Sequence, residues 1–127
     1  MFGKKKAEEE ALNLLELVPR RKREFEVDEN NVVTVMMPRF ENPWMLKSFV
    51  PRWKSPYVRT KLDDVGSFVW LQCDGETPVE IIAERMREHF GEKIEPAHER
   101  LKFFFQMLTR RTWLTLHHAD GTEIFKS

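Results

Sequence analysis

The apolar positions between residues 61 and 111 recur with the period of amphipathic helices, and start and stop signals divide this segment into three helices. The first is predicted to begin at Asp63 or Asp64, either of which can cap a helix, and to end near Asp74-Gly75. The second is predicted to begin at Thr77-Pro78-Val79-Glu80, which combines a capping box with a proline at the first helical position. The inward faces are predicted to be Val65, Phe68, Val69 and Leu71 in the first helix, and Val79, Ile82, Ala83, Met86 and Phe90 in the second.

The third helix is predicted to run from Glu95-Pro96 to about Arg110, and it carries two apolar stripes. Phe103 and Met107, four residues apart, form a stripe that flanks the core face. Such an extra stripe either lines a groove for a partner or is covered by another part of the chain, and the sequence leaves both options open. The core face is predicted to comprise Ala97, Leu101, Phe104, Phe105 and Leu108.

Before the helices, the pattern changes to the alternation of β-strands. Residues 23–38 predict a hairpin whose turn is Asp28–Asn31, and Tyr57–Leu62 predicts a third strand. Arg59 and Lys61 share one face of this strand, which suits an edge, since charge there discourages random strand pairing.

The predicted fold is therefore α+β and resembles a winged helix-turn-helix: an N-terminal three-stranded antiparallel sheet, three helices and a C-terminal hairpin. The hairpin is predicted from Trp113–Leu116 and Glu123–Phe125, with a turn between them. The chain length of 127 residues fits one domain, which we expect over residues 23–127. Residues 1–22 are expected to be a partly ordered tail with a short helix over Ala7–Leu17.

The connection over residues 39–56 is rich in aromatic side chains and interrupted by prolines. A short helix is predicted from Pro43 to Phe49, with Asn42 as its cap. Its aromatic residues either fold back on the core or form a patch that faces a partner or a membrane. They are Phe40, Trp44, Phe49 and Trp53.

Charge is distributed unevenly although the net charge is zero. Residues 1–61 hold 13 Lys and Arg against 9 Asp and Glu, whereas residues 62–127 hold 8 against 12. An acidic helical half is poorly suited to DNA, because much of the affinity for DNA comes from neutralising phosphates. No apolar run reaches the ~18 residues of a membrane span. The acidic Glu8–Glu10 lies where a signal peptide would be apolar, so we expect a cytoplasmic protein.

Candidate catalytic and metal-binding residues are few. Neither a glycine-rich phosphate loop nor a nucleophile elbow is present in the sequence. Cys73 is the only cysteine, which suits a reducing compartment, and its position at a helix end opposes a reactive thiolate. His117 and His118 are adjacent on a predicted strand and so point to opposite faces. We therefore expect no enzyme, no metal site and no cofactor.

An ordered set of features over about residues 55–112 resembles the PqqD family of coenzyme PQQ synthesis proteins and related peptide-recognition domains. The features are Leu62-Asp63 at the junction of strand and helix, Gly66, Trp70, the Asp74-Gly75 stop, and the Thr77-to-Ile82 helix opening. This chain resembles a free-standing relative, because it adds the N-terminal tail, the aromatic connection and the C-terminal hairpin.

The resemblance implies a non-catalytic, chaperone-like protein that presents the leader of a precursor peptide to a modifying enzyme, often a radical-SAM enzyme. It implies that the peptide adds as a strand beside the third strand and over the third helix. The basic Arg59 and Lys61 would favour an acidic leader. Carried onto this chain, the implied peptide-binding residues are Tyr57, Val58, Arg59, Thr60, Lys61, Arg100, Phe103, Met107 and Arg110.

Two other functions remain open from the sequence. One is a winged-helix transcription regulator, with residues 96–110 as the recognition helix. The other is an assembly subunit that uses the aromatic residues of the 39–56 connection as its interface. The oligomeric state is open as well, since an exposed edge strand permits dimers and domain swapping.

Overall fold

The structure is a computed structural model that describes residues 14–39, 57–119 and 121. It is an α+β chain, as predicted, but its strands are divided between two antiparallel sheets. The elements in chain order are β1 (Val18–Arg21), β2 (Glu24–Val27), β3 (Val33–Pro38), β4 (Tyr57–Lys61), α1 (Asp64–Gln72), α2 (Val79–Phe90), a 3-10 helix (Gly91–Ile94), α3 (Ala97–Arg110) and β5 (Leu114–His117).

The contacts divide the chain into two units. One unit, Arg23–Ser67, contains the sheet β2-β3-β4 and is called the sheet unit below. The other consists of Met1–Lys22 and Phe68–Ser127, contains the β1–β5 pair and most of the helices, and is called the helical unit. No helix among the described residues is long and apolar enough to cross a membrane.

The sheet unit confirms the predicted hairpin and third strand. β3 is the central strand, with β2 antiparallel on one side and β4 antiparallel on the other. The turn forms because the Asp28 carboxylate accepts hydrogen bonds from the amides of Asn30 (2.8 Å) and Val32 (3.0 Å). Val33 and Val35 of β3 are fully buried, as expected for β-branched residues on the covered face of a central strand.

The start of α1 is joined to this sheet by hydrogen bonds. The Asp63 carboxylate accepts from the amide of Gly66 at 2.7 Å, so the predicted cap is confirmed. The Ser67 hydroxyl, which is buried, accepts from the amide of Val33 at 2.8 Å. Leu62 donates its amide to the carbonyl of Val33 at 2.8 Å, which continues the β3–β4 ladder by one step.

The inward face of α1 differs from the prediction. Val65, Phe68 and Leu71 are only half-buried, and of the predicted face only Val69 is buried. Besides Ser67, the other buried positions are Gly66, Trp70 and Cys73, and with Val69 they form a single face. These follow the i, i+3, i+4, i+7 spacing of a helix face. Because glycine and cysteine count little in a search for large apolar residues, the sequence pattern favoured the neighbouring stripe instead.

The core of the helical unit is built from side chains of every helix and of β5. The Trp70 and Trp113 rings meet edge to face, with their centroids 6.4 Å apart. The predicted core faces of α2 and α3 are confirmed, except that Phe90 and Phe104 are half-buried. The fully buried large side chains of this unit include Trp70, Ile82, Met86, Leu101, Phe105, Leu108 and Leu114.

The pattern of residues did not predict β1, which lies within the expected tail. β1 pairs antiparallel with β5, and Leu17 and Val18 are buried. The other edge of β1 binds the loop after α1: the carbonyl of Pro19 accepts from the amide of Gly75 at 2.9 Å, and the carbonyl of Cys73 accepts from the amide of Arg21 at 3.1 Å. β1 is therefore held on both sides, although it contains a proline.

The predicted capping box at the start of α2 does not form. The Thr77 hydroxyl donates instead to the Asp74 carboxylate at 3.0 Å, and the amide of Val79 donates to the carbonyl of Leu17 at 2.9 Å. A backbone group from the N-terminal segment thus satisfies one of the free amides at this helix end. The predicted end of α2 is confirmed at Gly91, whose φ is 70°.

The remaining expectations fall partly outside the described residues. β5 confirms the first strand of the C-terminal hairpin, whereas the return strand Glu123–Phe125 lies outside. The helix predicted from Pro43 to Phe49 and the tail helix before residue 14 also lie outside, although residues 14–16 are helical. The division into a tail and one domain, and the winged arrangement, remain predictions.

Candidate functional site

β4 is an edge strand of the sheet unit within the described part of the chain, because the strand order is β2-β3-β4. The hydrogen bond from Leu62 to Val33 shows which backbone groups of β4 face β3. Since these groups alternate in an antiparallel ladder, the amides and carbonyls of Thr60 and Val58 also face β3, and those of Arg59 and Lys61 face outward. Outward-facing backbone groups are what a further strand would bind.

The side chains of β4 divide between the two faces of the sheet. Arg59, which lies opposite Met36, reaches across β3 and binds the carboxylate of Glu26 at 2.7 and 3.3 Å. This hydrogen bond, together with the attraction between the two charges, raises the pKa of the Arg59 guanidinium. On the opposite face, the Val58 side chain is 43% exposed.

A second accessible surface lies on α3 in the helical unit. Phe103 is 77% exposed and Met107 is 45% exposed, whereas the neighbouring Phe105 is buried. Arg100 and Arg110 are exposed as well. The spacing of three, four and three residues places Arg100, Phe103, Met107 and Arg110 on one side of the helix, called the outer face of α3 below.

The structure thus brings the nine predicted binding residues together as two sets. The five on β4 are consecutive and belong to the sheet unit, and the four on α3 share the outer face in the helical unit. What the sequence did not reveal is the link between Arg59 and Glu26, because the two residues are 33 positions apart.

The sequence also gave no signal for an open groove of about 290 Å³ in the helical unit, between β1, β5 and the loop after α1. The groove depends on β1, which the pattern did not predict. Its lining includes Arg20, Gly75, Glu76, His117 and His118.

Cys73, His89 and His117 make contacts within the fold. Cys73 is completely buried, burial raises the pKa of its thiol, and its Sγ donates to the carbonyl of Val69 at 3.2 Å. His117 lies 2.7 Å from the Thr115 hydroxyl through Nε2, and His89 stacks on Phe68. Among the described residues, no group of three or more His, Cys, Asp or Glu could hold a metal ion.

The geometry defines a small α+β protein with an accessible, partly basic strand edge and an exposed apolar stripe on its last helix. Residues 57–114 match the family model described as Coenzyme PQQ synthesis protein D (PqqD). Over this segment the chain is similar to the PqqD family, as the resemblance had indicated. Neither the comparison with curated proteins nor that with solved structures gave a match.

The matched segment comprises 58 of the 127 residues, slightly less than half of the chain. It begins with the first residue of β4 and ends with the first residue of β5, so it includes α1, α2 and α3. Both sets of predicted binding residues lie inside it, whereas β1, β2 and β3 lie outside.

Proposed function

We propose that this protein is a non-catalytic, chaperone-like partner that binds a precursor peptide and presents it to a modifying enzyme. The modified peptide would give PQQ or a related peptide-derived product, and the enzyme implied by the resemblance is of the radical-SAM or another peptide-modifying type. The observation that carries the proposal is that the segment matched by the PqqD family model contains an accessible strand edge, β4.

The physical basis of the proposal is addition of a strand. A peptide that pairs with β4 forms backbone hydrogen bonds with the outward amides and carbonyls of Arg59 and Lys61, and these bonds do not depend on the peptide's side chains. Selectivity then comes from side chains on the two faces of β4. A protein that holds a peptide in this way needs no catalytic group of its own.

The outer face of α3 is proposed as a contact surface in its own right. Phe103 and Met107 are apolar anchors of the kind that dominate binding energy at interfaces, and methionine adapts to irregular partners. Arg100 and Arg110 flank them and would attract acidic groups. We assign this surface to the same precursor peptide.

A titration followed by NMR tests the strand-edge proposal. Arg59→Pro removes an outward amide, which β3 does not use, whereas Arg59→Gln removes the same guanidinium and keeps the amide. We expect the proline variant to bind precursor peptides at least about tenfold more weakly than the glutamine variant, the equivalent of roughly 1.4 kcal/mol. Equal affinities in the two variants, both folded by circular dichroism, would contradict strand addition.

The contribution of α3 has its own test. Phe103→Ser and Met107→Ser should weaken peptide binding while leaving the free energy of unfolding within about 0.5 kcal/mol, because both side chains are already exposed. Peptide binding with unchanged affinity in both variants would remove the outer face of α3 from the proposal and leave β4 as the whole site.

The alternative is a winged-helix DNA-binding regulator, and the exposed Arg100 and Arg110 on α3 are the observation in its favour. The exposed Phe103 and Met107 between them are less suited to a groove lined with phosphates. Fluorescence anisotropy with genomic DNA fragments distinguishes the two functions. Absence of binding at low salt would eliminate the regulator, since nonspecific electrostatic affinity is greatest there.

A further inference from the structure

The two basic side chains of β4 have different surroundings, although the sequence presents them as equivalents. Directly opposed residues of paired strands lie on the same face of a sheet. Met36 lies opposite both Glu24 and Arg59, and Thr34 lies opposite both Glu26 and Lys61. All four charged residues therefore share one face of the sheet unit, with acidic residues on β2 and basic residues on β4.

Arg59 already has an acidic partner within the protein. Its Nη1 and Nη2 bind the two carboxylate oxygens of Glu26, at 2.7 and 3.3 Å, in the side-by-side arrangement that matches a guanidinium to a carboxylate. Lys61 is exposed and makes no ion pair within residues 14–39, 57–119 and 121. Of these two residues, only Lys61 is thus available to pair with a charged residue of a bound peptide.

We propose that Lys61 selects an acidic residue on a strand added to β4, while Glu26 occupies Arg59 and keeps it from doing the same. This inference rests on the proposed function, and it names the class of peptide that the same edge would accept. The peptide is a strand-forming segment with one acidic residue opposite Lys61, an uncharged residue opposite Arg59, and apolar or β-branched residues at the positions between.

The pattern follows from strand geometry. Side chains of directly opposite residues have Cβ atoms roughly 5 Å apart, close enough for opposite charges to attract and like charges to repel. An acidic residue opposite Arg59 would meet the charge of Glu26, which already neutralises that guanidinium. The peptide residues between these positions point to the other face, where Val58 and Thr60 offer an apolar and a β-branched neighbour.

The expected preference is small but measurable. A cross-strand pair of opposite charges contributes about 0.2–1 kcal/mol, which corresponds to an affinity ratio of about 1.4 to 5. The ratio should decrease as salt is added, since both Lys61 and the added strand are exposed to solvent. Release of Arg59 by removing the Glu26 charge should increase the ratio.

The experiment uses three capped synthetic peptides of alternating valine and threonine with Glu, Gln or Lys at one central position. Their dissociation constants are measured by NMR titration of the 127-residue chain. We expect the order Glu, then Gln, then Lys from tightest to weakest. Lys61→Gln should abolish the preference, Glu26→Gln should strengthen it, and the control Lys93→Gln, an exposed lysine of the helical unit, should leave it unchanged.

The possible results distinguish failure of the selection by Lys61 from failure of the proposed function. If all three peptides shift the resonances of β4 with equal affinity, strand addition stands and the selection by Lys61 is overturned. A preference that persists in Lys61→Gln overturns it as well, and an unchanged preference in Glu26→Gln overturns the role of Glu26. If neither these peptides nor precursor peptides shift the β4 resonances, the proposed function itself fails.

Discussion

Replacing Arg21 by methionine removes two hydrogen bonds that hold the N-terminal segment to the end of α1. Arg21 Nη1 donates to the carbonyls of Trp70 and Leu71, each at 3.1 Å, although Arg21 precedes them by 49 and 50 residues. These carbonyls belong to the last turn of α1, where helix carbonyls lack the usual i+4 partners, and the carbonyl of Trp70 also accepts from the amide of Cys73 at 3.1 Å. Methionine keeps much of the apolar stem of arginine and leaves the backbone of β1 unchanged.

The size of the effect follows from the kind of interaction removed. A hydrogen bond that involves a charged group contributes about 1.5–3 kcal/mol, and a cation at a helix C-terminus adds about 0.3–1 kcal/mol. Arg21 is half-buried, so water can replace part of what is lost. We therefore expect Arg21→Met to lower the free energy of unfolding by about 2 kcal/mol.

Urea unfolding followed by far-ultraviolet circular dichroism measures this free energy. The matched control is Arg20→Met, since Arg20 lies on the same strand with an exposed side chain. That variant should stay within about 0.5 kcal/mol of the parent protein. Equal destabilisation by the two substitutions would show that the Arg21 guanidinium does not hold the end of α1, and the reasoning from these two hydrogen bonds would be refuted.

Three further predictions concern stability. Gly91→Ala should destabilise the protein by about 1–3 kcal/mol through backbone strain alone. The φ of 70° and ψ of −152° are unfavourable for alanine, whereas the space around an added Cβ is open. Thermal unfolding measures this loss, and an unchanged Tm would contradict the prediction. Phe105→Ala should cost about 3–5 kcal/mol in urea unfolding and Phe103→Ala almost nothing, since only Phe105 is buried; equal losses would be inconsistent with the placement of α3. Burial acts to raise the pKa of Asp74, but the hydrogen bonds that its carboxylate accepts outweigh burial and lower it. Its contribution to stability is therefore present above the unfolded pKa of about 3.9 and is lost as the pH falls through the lower folded pKa, so Asp74→Asn should flatten the acid dependence of urea unfolding; an unchanged slope would argue against this role.

Local signals explain what the sequence could predict of the fold. β2, β3, β4 and the three α-helices were all predicted because alternation, periodicity, caps and a stop glycine act within a few residues of one another. β1 was not predicted, because its partner β5 lies far along the chain and a proline within a short run disfavours a strand. The same long-range contact explains the missing capping box, since the carbonyl of Leu17 takes the amide of Val79.

In the candidate site too, features set by local sequence signals could be predicted and features set by long-range contacts could not. The position of Phe103 and Met107 beside the core face could be predicted from helix periodicity. Their exposure could not, because the sequence left open whether another part of the chain covers them. The edge position of β4 followed from its basic residues. The difference between Arg59 and Lys61 could not be predicted, because it depends on a diagonal ion pair. Arg59 binds Glu26, although the register places Glu26 in line with Lys61 through Thr34.

The burial of Cys73 has a practical consequence. It is the only cysteine in the chain, it is completely buried, and burial raises the pKa of its thiol, so a reagent that attacks thiolates reaches it only when the end of α1 opens. The rate of labelling under native conditions therefore reports the free energy of that opening, without denaturant. Cys73 is thus a natural probe for the opening of the end of α1, and no cysteine has to be introduced to measure that opening.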